Sequence, residues 1–169
     1  MTDKKIIFPV DLAGSSYRIV SRVRSIVEQL NAELHLAHVV ETFNGYDTFF
    51  IPHRSLDLME SENIALAERD LEEFAEKYFS DFPRVKRIVL SGKPAEQIQK
   101  YIVSEGIDSM ILAAYDRPFF QRALLVDLAE RIAKASPVPV TMINPFIEEI
   151  RPLAAKVAAS ASTPHASPV

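Results

Sequence analysis

Ile6-Ile7-Phe8-Pro9-Val10-Asp11 is the stretch whose reading decides the fold. Its apolar residues run without alternation. That pattern describes a strand covered on both faces, as in a parallel sheet. Asp11 closes the run at its carboxyl end. In open α/β sheets the ligand crevice lies beyond the carboxyl ends of the strands. Position therefore makes Asp11 the leading candidate for function, with capping of the next turn or helix as the structural alternative.

Working outward, Ser15 or Ser16 can cap a helix. Ile19, Val23, Ile26, Val27 and Leu30 then recur at helical spacing. A second strand is expected over Glu33 to Val40. A long connection follows, from Glu41 to about Ser61. The next helix, from about Glu62 to Tyr78, carries Ile64, Ala67, Leu71, Phe74 and Tyr78 on one stripe. Val85 to Leu90 reads as a strand. Pro94 suits the first turn of a helix that buries Ile98, Tyr101 and Ile102, and Gly106 suits its end. Ser109 to Ala114 is a further strand and Phe119 to Ala135 a further helix. Val138 to Ile143 is the last strand. Strands alternating with helices call for an α/β fold with a mostly parallel sheet and right-handed crossovers. The expected domain is 1–147. The Ala/Ser/Pro-rich stretch 148–169 offers little apolar surface to offset ordering entropy and is expected to be disordered.

The chain has 169 residues and a net charge of −4, without a single Cys. The missing thiols exclude a disulfide scaffold, a thiolate zinc site and a cysteine nucleophile. The acidic balance speaks against nucleic acid, which needs a concentrated basic face. The short run Arg84-Val85-Lys86-Arg87 reads as a solvated strand face. No apolar stretch approaches the ~18 residues of a membrane span. The start, Met-Thr-Asp-Lys-Lys, passes straight into a strand and lacks a signal-peptide pattern, so the expected location is cytoplasmic. There are only four glycines, and none follows Gly106. A glycine-built phosphate cradle must sit early in the chain or be missing.

The motifs agree. Neither a Walker A loop, a dinucleotide Gly-x-Gly-x-x-Gly, nor a Gly-x-Ser-x-Gly nucleophile elbow is present. A receiver domain would need an acidic pair after the first strand, an Asp after the third and a Lys after the fifth. The chain offers Asp11 alone, Ser91 and Asn144. His35 and His38 are three apart on one strand, so their side chains point to opposite faces and cannot share a metal. Core or strand-end hydrogen bonding is the expected role of both, and no metal site is expected. The aromatic segment Phe43, Tyr46, Phe49, Phe50 and Ile51 is expected to pack over the sheet edge. Its alternative is to cap the crevice or meet a partner.

Four segments, in order, resemble the universal stress protein family. They are Pro-Val-Asp at 9–11, Asn-Ala-Glu-Leu-His-Leu-Ala-His-Val-Val-Glu at 31–41, Gly-Lys-Pro-Ala-Glu-Gln-Ile at 92–98, and Ala-Glu-Arg-Ile-Ala-Lys-Ala-Ser-Pro-Val-Pro-Val-Thr-Met-Ile at 129–143. The resemblance covers about residues 4 to 145. It implies an open five-stranded parallel sheet in the order 3-2-1-4-5 with helices on both faces.

Members of this family divide into those that bind ATP and those that do not. Binders carry Gly-x-x-Gly, a spacer and Gly-Ser/Thr after the fourth strand, where glycine lets backbone N–H groups approach phosphates. The matching positions here are Ala113, Asp116, Val126 and Asp127. The two aspartates would stand beside a triphosphate, and each like-charge contact could cost ~1–4 kcal/mol. The positions matching the adenine contacts, Asp11 and Val39, are kept. The resemblance therefore implies a non-enzymatic, non-ATP-binding member without a cofactor, acting through protein contacts. It also implies a homodimer paired along the last strand at Val138, Val140 and Met142, with a further protein partner. The alternative reading keeps ATP or another adenine nucleotide at Asp11, Val39 and 113–127, with slow hydrolysis or a switch.

Overall fold

The computed structural model describes residues 4–14, 16–42, 53–113 and 128–145. In chain order the elements are β1 (Lys5–Pro9), a 3-10 turn (Ser16–Ile19), α1 (Val20–Gln29), β2 (Glu33–Val40), α2 (His53–Phe79), β3 (Val85–Ser91), α3 (Pro94–Glu105), β4 (Ser109–Ala113), α4 (Leu128–Ala135) and β5 (Val140–Ile143). The five strands form one sheet in the order β3-β2-β1-β4-β5, and every pairing is parallel. This is the expected fold class and strand order.

Alternation along the strands sorts the core into two layers. Ile6, Phe8, Leu34, Leu36 and Ile111 face α1 and α2, packing with Val23, Leu71 and Phe79. Ile7, Ala37, Met110 and Leu112 face the other way, against Ile98 and Ile102 of α3 and Ile132 of α4. Both faces of β1 are thus covered, which is why its sequence shows no polar alternation.

Local signals set several boundaries. Pro94 opens α3, where its missing N–H is no loss, and Gly106 ends it in the left-handed conformation at φ 64°. Other expectations shift. α2 begins at His53, well before Glu62. Its early turns expose Leu58 and Met59, so no buried stripe marks them in the sequence. Farther along, Ala67, Leu71, Ala75 and Phe79 carry the burial, with Phe74 and Tyr78 at the flank. β5 starts at Val140, not Val138. Val138 instead sits in a turn, where its N–H donates to the Ser136 hydroxyl. The Ser16 hydroxyl does not cap α1, whose first turn follows Ile19 without a side-chain cap. Residues 114–127, the aromatic segment 43–51 and the chain from 146 onward lie outside the described residues, and so do the expectations placed there.

Candidate crevice at the carboxyl ends of the strands

β1, β2 and β3 are laid down in one direction across the sheet, while β4 and β5 lie on the other side of β1. The strand order reverses between β1 and β4. A crevice of about 260 Å³ opens there. Val10 and Asp11 after β1, Val39 and Glu41 on β2 and beyond it, and Ala113 at the end of β4 all line it. Ile98 of α3 and Ile132 of α4 close its sides. Topology thus gathers positions far apart in sequence at the one edge where an open sheet can hold a ligand.

Asp11 is exposed at the mouth and organises the turn beneath it. Its N–H donates to the Ser16 hydroxyl at 2.9 Å, and its Oδ1 accepts from the Ala13 N–H at 3.1 Å. Its carbonyl accepts from the Gly14 N–H at 3.2 Å. This is an Asx turn, the local role that aspartate plays by folding back on its own backbone. The capping reading and the crevice reading of Asp11 therefore hold together. Ser16, buried behind it, contributes to the same turn and to the crevice wall.

His38 also lines the crevice. Its Nδ1 lies 2.8 Å from the Val10 carbonyl. A carbonyl can only accept, so Nδ1 carries the proton and donates it. The bond ties β2 to the residue before Asp11. Sequence reading expected a hydrogen-bonding histidine at a strand end but not its place in the crevice wall. Strand parity separates His38 from His35 but cannot name either partner. Glu41, also missed in sequence, adds a second carboxylate to the lining.

The lining is apolar, with acidic groups at Asp11 and Glu41. Among the described residues it includes no Lys or Arg. Ala113, expected from the resemblance at the first glycine position of the ATP motif, is buried and reaches the crevice. Asp116, Val126 and Asp127 lie outside the described residues. No group of three or more possible metal ligands occurs among the described residues.

The family model for the universal stress protein family matches residues 3–144. The chain belongs to the universal stress protein family. Universal stress protein MJ0577 of Methanocaldococcus jannaschii is 24% identical over 153 residues, covering 83% of this chain and 94% of that protein. Universal stress protein UspA from Lactobacillus plantarum superposes with a TM-score of 0.67 at 19% identity, covering 83% of this chain and 97% of that one. A universal stress protein solved in complex with cAMP superposes at 0.63 with 15% identity, covering 86% and 99%. At such identities the structural likeness speaks for the fold.

The expected strand edge looks different in detail. β5 is an outer strand, and Met142 is 44% exposed on it. Val140 is half-buried and packs, with Val138, against the α3–α4 layer of the core. Of the three residues expected at a dimer edge, Met142 alone offers a large exposed apolar surface.

Proposed function

We propose that this universal stress protein works in the cytoplasm through protein contacts, as a homodimer paired along β5, and does not bind ATP. In this reading its crevice takes at most an uncharged ligand of about nucleoside size. The observation that carries the reading is the lining: apolar walls, carboxylates at Asp11 and Glu41, and no Lys or Arg among the described lining residues. A triphosphate needs cations or close backbone N–H groups, and fixed carboxylates repel it. The volume of about 260 Å³ supports the size limit, since ligand clefts commonly start at about 300 Å³. The outer position of β5 and the exposed Met142 support the pairing.

Calorimetry with adenosine, AMP, cAMP and ATP, with and without Mg²⁺, tests the ligand half. The expected result is no heat with ATP, and a signal, if any, confined to adenosine. Tight ATP binding lost in Asp11→Ala would establish the second reading, an adenine-nucleotide-binding protein with slow hydrolysis or a switch. Two observations favour that alternative: Asp11 and Val39 both line the crevice, and a protein of the same fold was solved with cAMP.

A further inference from the structure

At the amino end of the sheet, opposite the crevice, lies a buried histidine that the proposed function does not use. His35 of β2 is wholly buried. Its Nδ1 is 2.8 Å from the Tyr101 hydroxyl of α3, and the two rings meet edge to face at 5.8 Å. Its Nε2 lies 3.1 Å from Glu33 Oε1 but without the alignment of a hydrogen bond, so this buried nitrogen has no hydrogen-bond partner. The carboxylate beside Nε2 favours the tautomer with its proton there. Nδ1 then accepts the Tyr101 O–H.

The surroundings are charged on every side. Glu33 flanks the ring on β2. From β3, Lys86 approaches and pairs with Glu105 of α3 at 2.6 Å, its ammonium 5.9 Å from the Tyr101 ring centre. From β1, the Lys5 ammonium donates to the Glu105 carbonyl at 2.8 Å, and the Lys5 N–H donates to Asp108 at 2.8 Å. Two ammonium groups thus oppose a charge on His35, and the Glu33 and Glu105 carboxylates favour it.

We propose that His35 is a proton-operated latch on α3. Neutral, it accepts the Tyr101 hydroxyl and holds the carboxyl half of the helix on the sheet. Protonated, Nδ1 must donate, so the Tyr101 O–H loses its acceptor and turns away. A cation then stands near Lys5 and Lys86 in a site closed to water, a burial cost that the reversed bond does not offset. The latch then releases. Ile98, one turn before Tyr101 on the same helix, forms part of the crevice wall. Acid release of α3 therefore reaches the crevice along a single rigid element.

Burial holds His35 below the ordinary histidine range, with the lysines acting in the same sense and Glu33 opposing. The sign follows. The unlatched state binds the proton more readily, so latching is complete above the ordinary histidine value. It weakens as pH falls from there toward the lower latched value.

The test measures amide hydrogen exchange across α3 from pH 7.5 to 5, corrected for the intrinsic exchange rate, alongside an NMR titration of the His35 ring. In the wild type, opening of α3 rises on acidification by up to about tenfold per pH unit, the limit for one proton. The His35 ring titrates below the ordinary histidine range. Tyr101→Phe keeps the ring but not the hydroxyl, and it raises opening already at pH 7.5. The apolar pair His35→Leu/Tyr101→Phe is flat across the window. A His35 ring that titrates in the ordinary range, or a double variant with the wild-type slope, overturns the latch. If the double variant fails to fold, the ring titration and Tyr101→Phe still decide. None of these readouts involves a crevice ligand, so they stand apart from the ligand panel.

Discussion

The His38 Nδ1–H donates to the Val10 carbonyl at 2.8 Å, bridging the ends of β2 and β1 immediately before Asp11. The side chain substitutes for a ladder bond where the two strands part to form the crevice. Losing it leaves a carbonyl of a buried residue without that donor. We expect His38→Ala to lower stability by about 1–2 kcal/mol in urea unfolding. A variant as stable as the wild type would show that water replaces the imidazole at no cost.

Two glycines separate backbone strain from crowding. Gly92 has φ 128°, and a Cβ there would stand 2.7 Å from the Gln97 side-chain nitrogen. Gly106 has φ 64°, with nothing within 4 Å of a Cβ. Gly106→Ala should cost about 1 kcal/mol, the left-handed penalty alone. Gly92→Ala should cost more, about 2–3 kcal/mol, because its conformation is rarer for a side chain and Gln97 must move. Thermal unfolding of the two variants gives the order, and equal losses would contradict it.

Ala113 tests the proposed exclusion of ATP. Ala113→Gly restores the first glycine of the family motif but leaves Asp11 and Glu41 in the lining. We expect no ATP heat from this variant, and a stability loss of about 0.5–1 kcal/mol from a glycine within a strand. Acquisition of ATP binding would place the block at this one methyl group.

Arg24 grips Asp81 with both guanidinium ends, at 2.8 and 2.5 Å. It also donates to the Tyr78 carbonyl at 2.6 Å and lies over the Phe82 ring. The guanidinium hydrogen bond holds Asp81 below the ordinary aspartate range. A carboxyl depressed by folding stabilises above its ordinary value and loses that contribution as pH falls through the folded value. Asp81→Asn should therefore be less stable than the wild type at pH 7, with the gap closing below about pH 4. Arg24→Ala should lose more than Asp81→Asn, since it also vacates the carbonyl and the ring. A gap constant from pH 7 to 2 would rule out the titration.

For the proposed dimer, Met142→Lys puts a charge on the exposed face of β5. Light scattering should then report a monomer at micromolar concentration where the wild type is a dimer. A wild-type monomer would refute the pairing outright.

How far the sequence reaches differs along the chain. β2 and α3 were legible almost to the residue. Leu34, Leu36, Ala37, Val39 and Val40 mark one, and Pro94 and Gly106 punctuate the other at its ends. The first turns of α2 were hidden because Leu58 and Met59 face outward, so periodicity has no core to report there. Ser16 looks like a helix cap because hydroxyls favour that place. It bonds instead to Asp11 N–H, five residues back, a choice made by how the turn folds.

The sequence alone determined the alternation of strands and helices, the double-sided burial of β1 and the acidic residue at its end. These depend on neighbours along the chain. The tertiary structure alone decided which histidine does what. His35 finds Tyr101 across 66 residues, and His38 finds Val10 across 28. Spacing can set the two rings on opposite faces of a strand. Only the packing of α3 on the sheet, and the parting of β1 from β2, supplies the groups they meet.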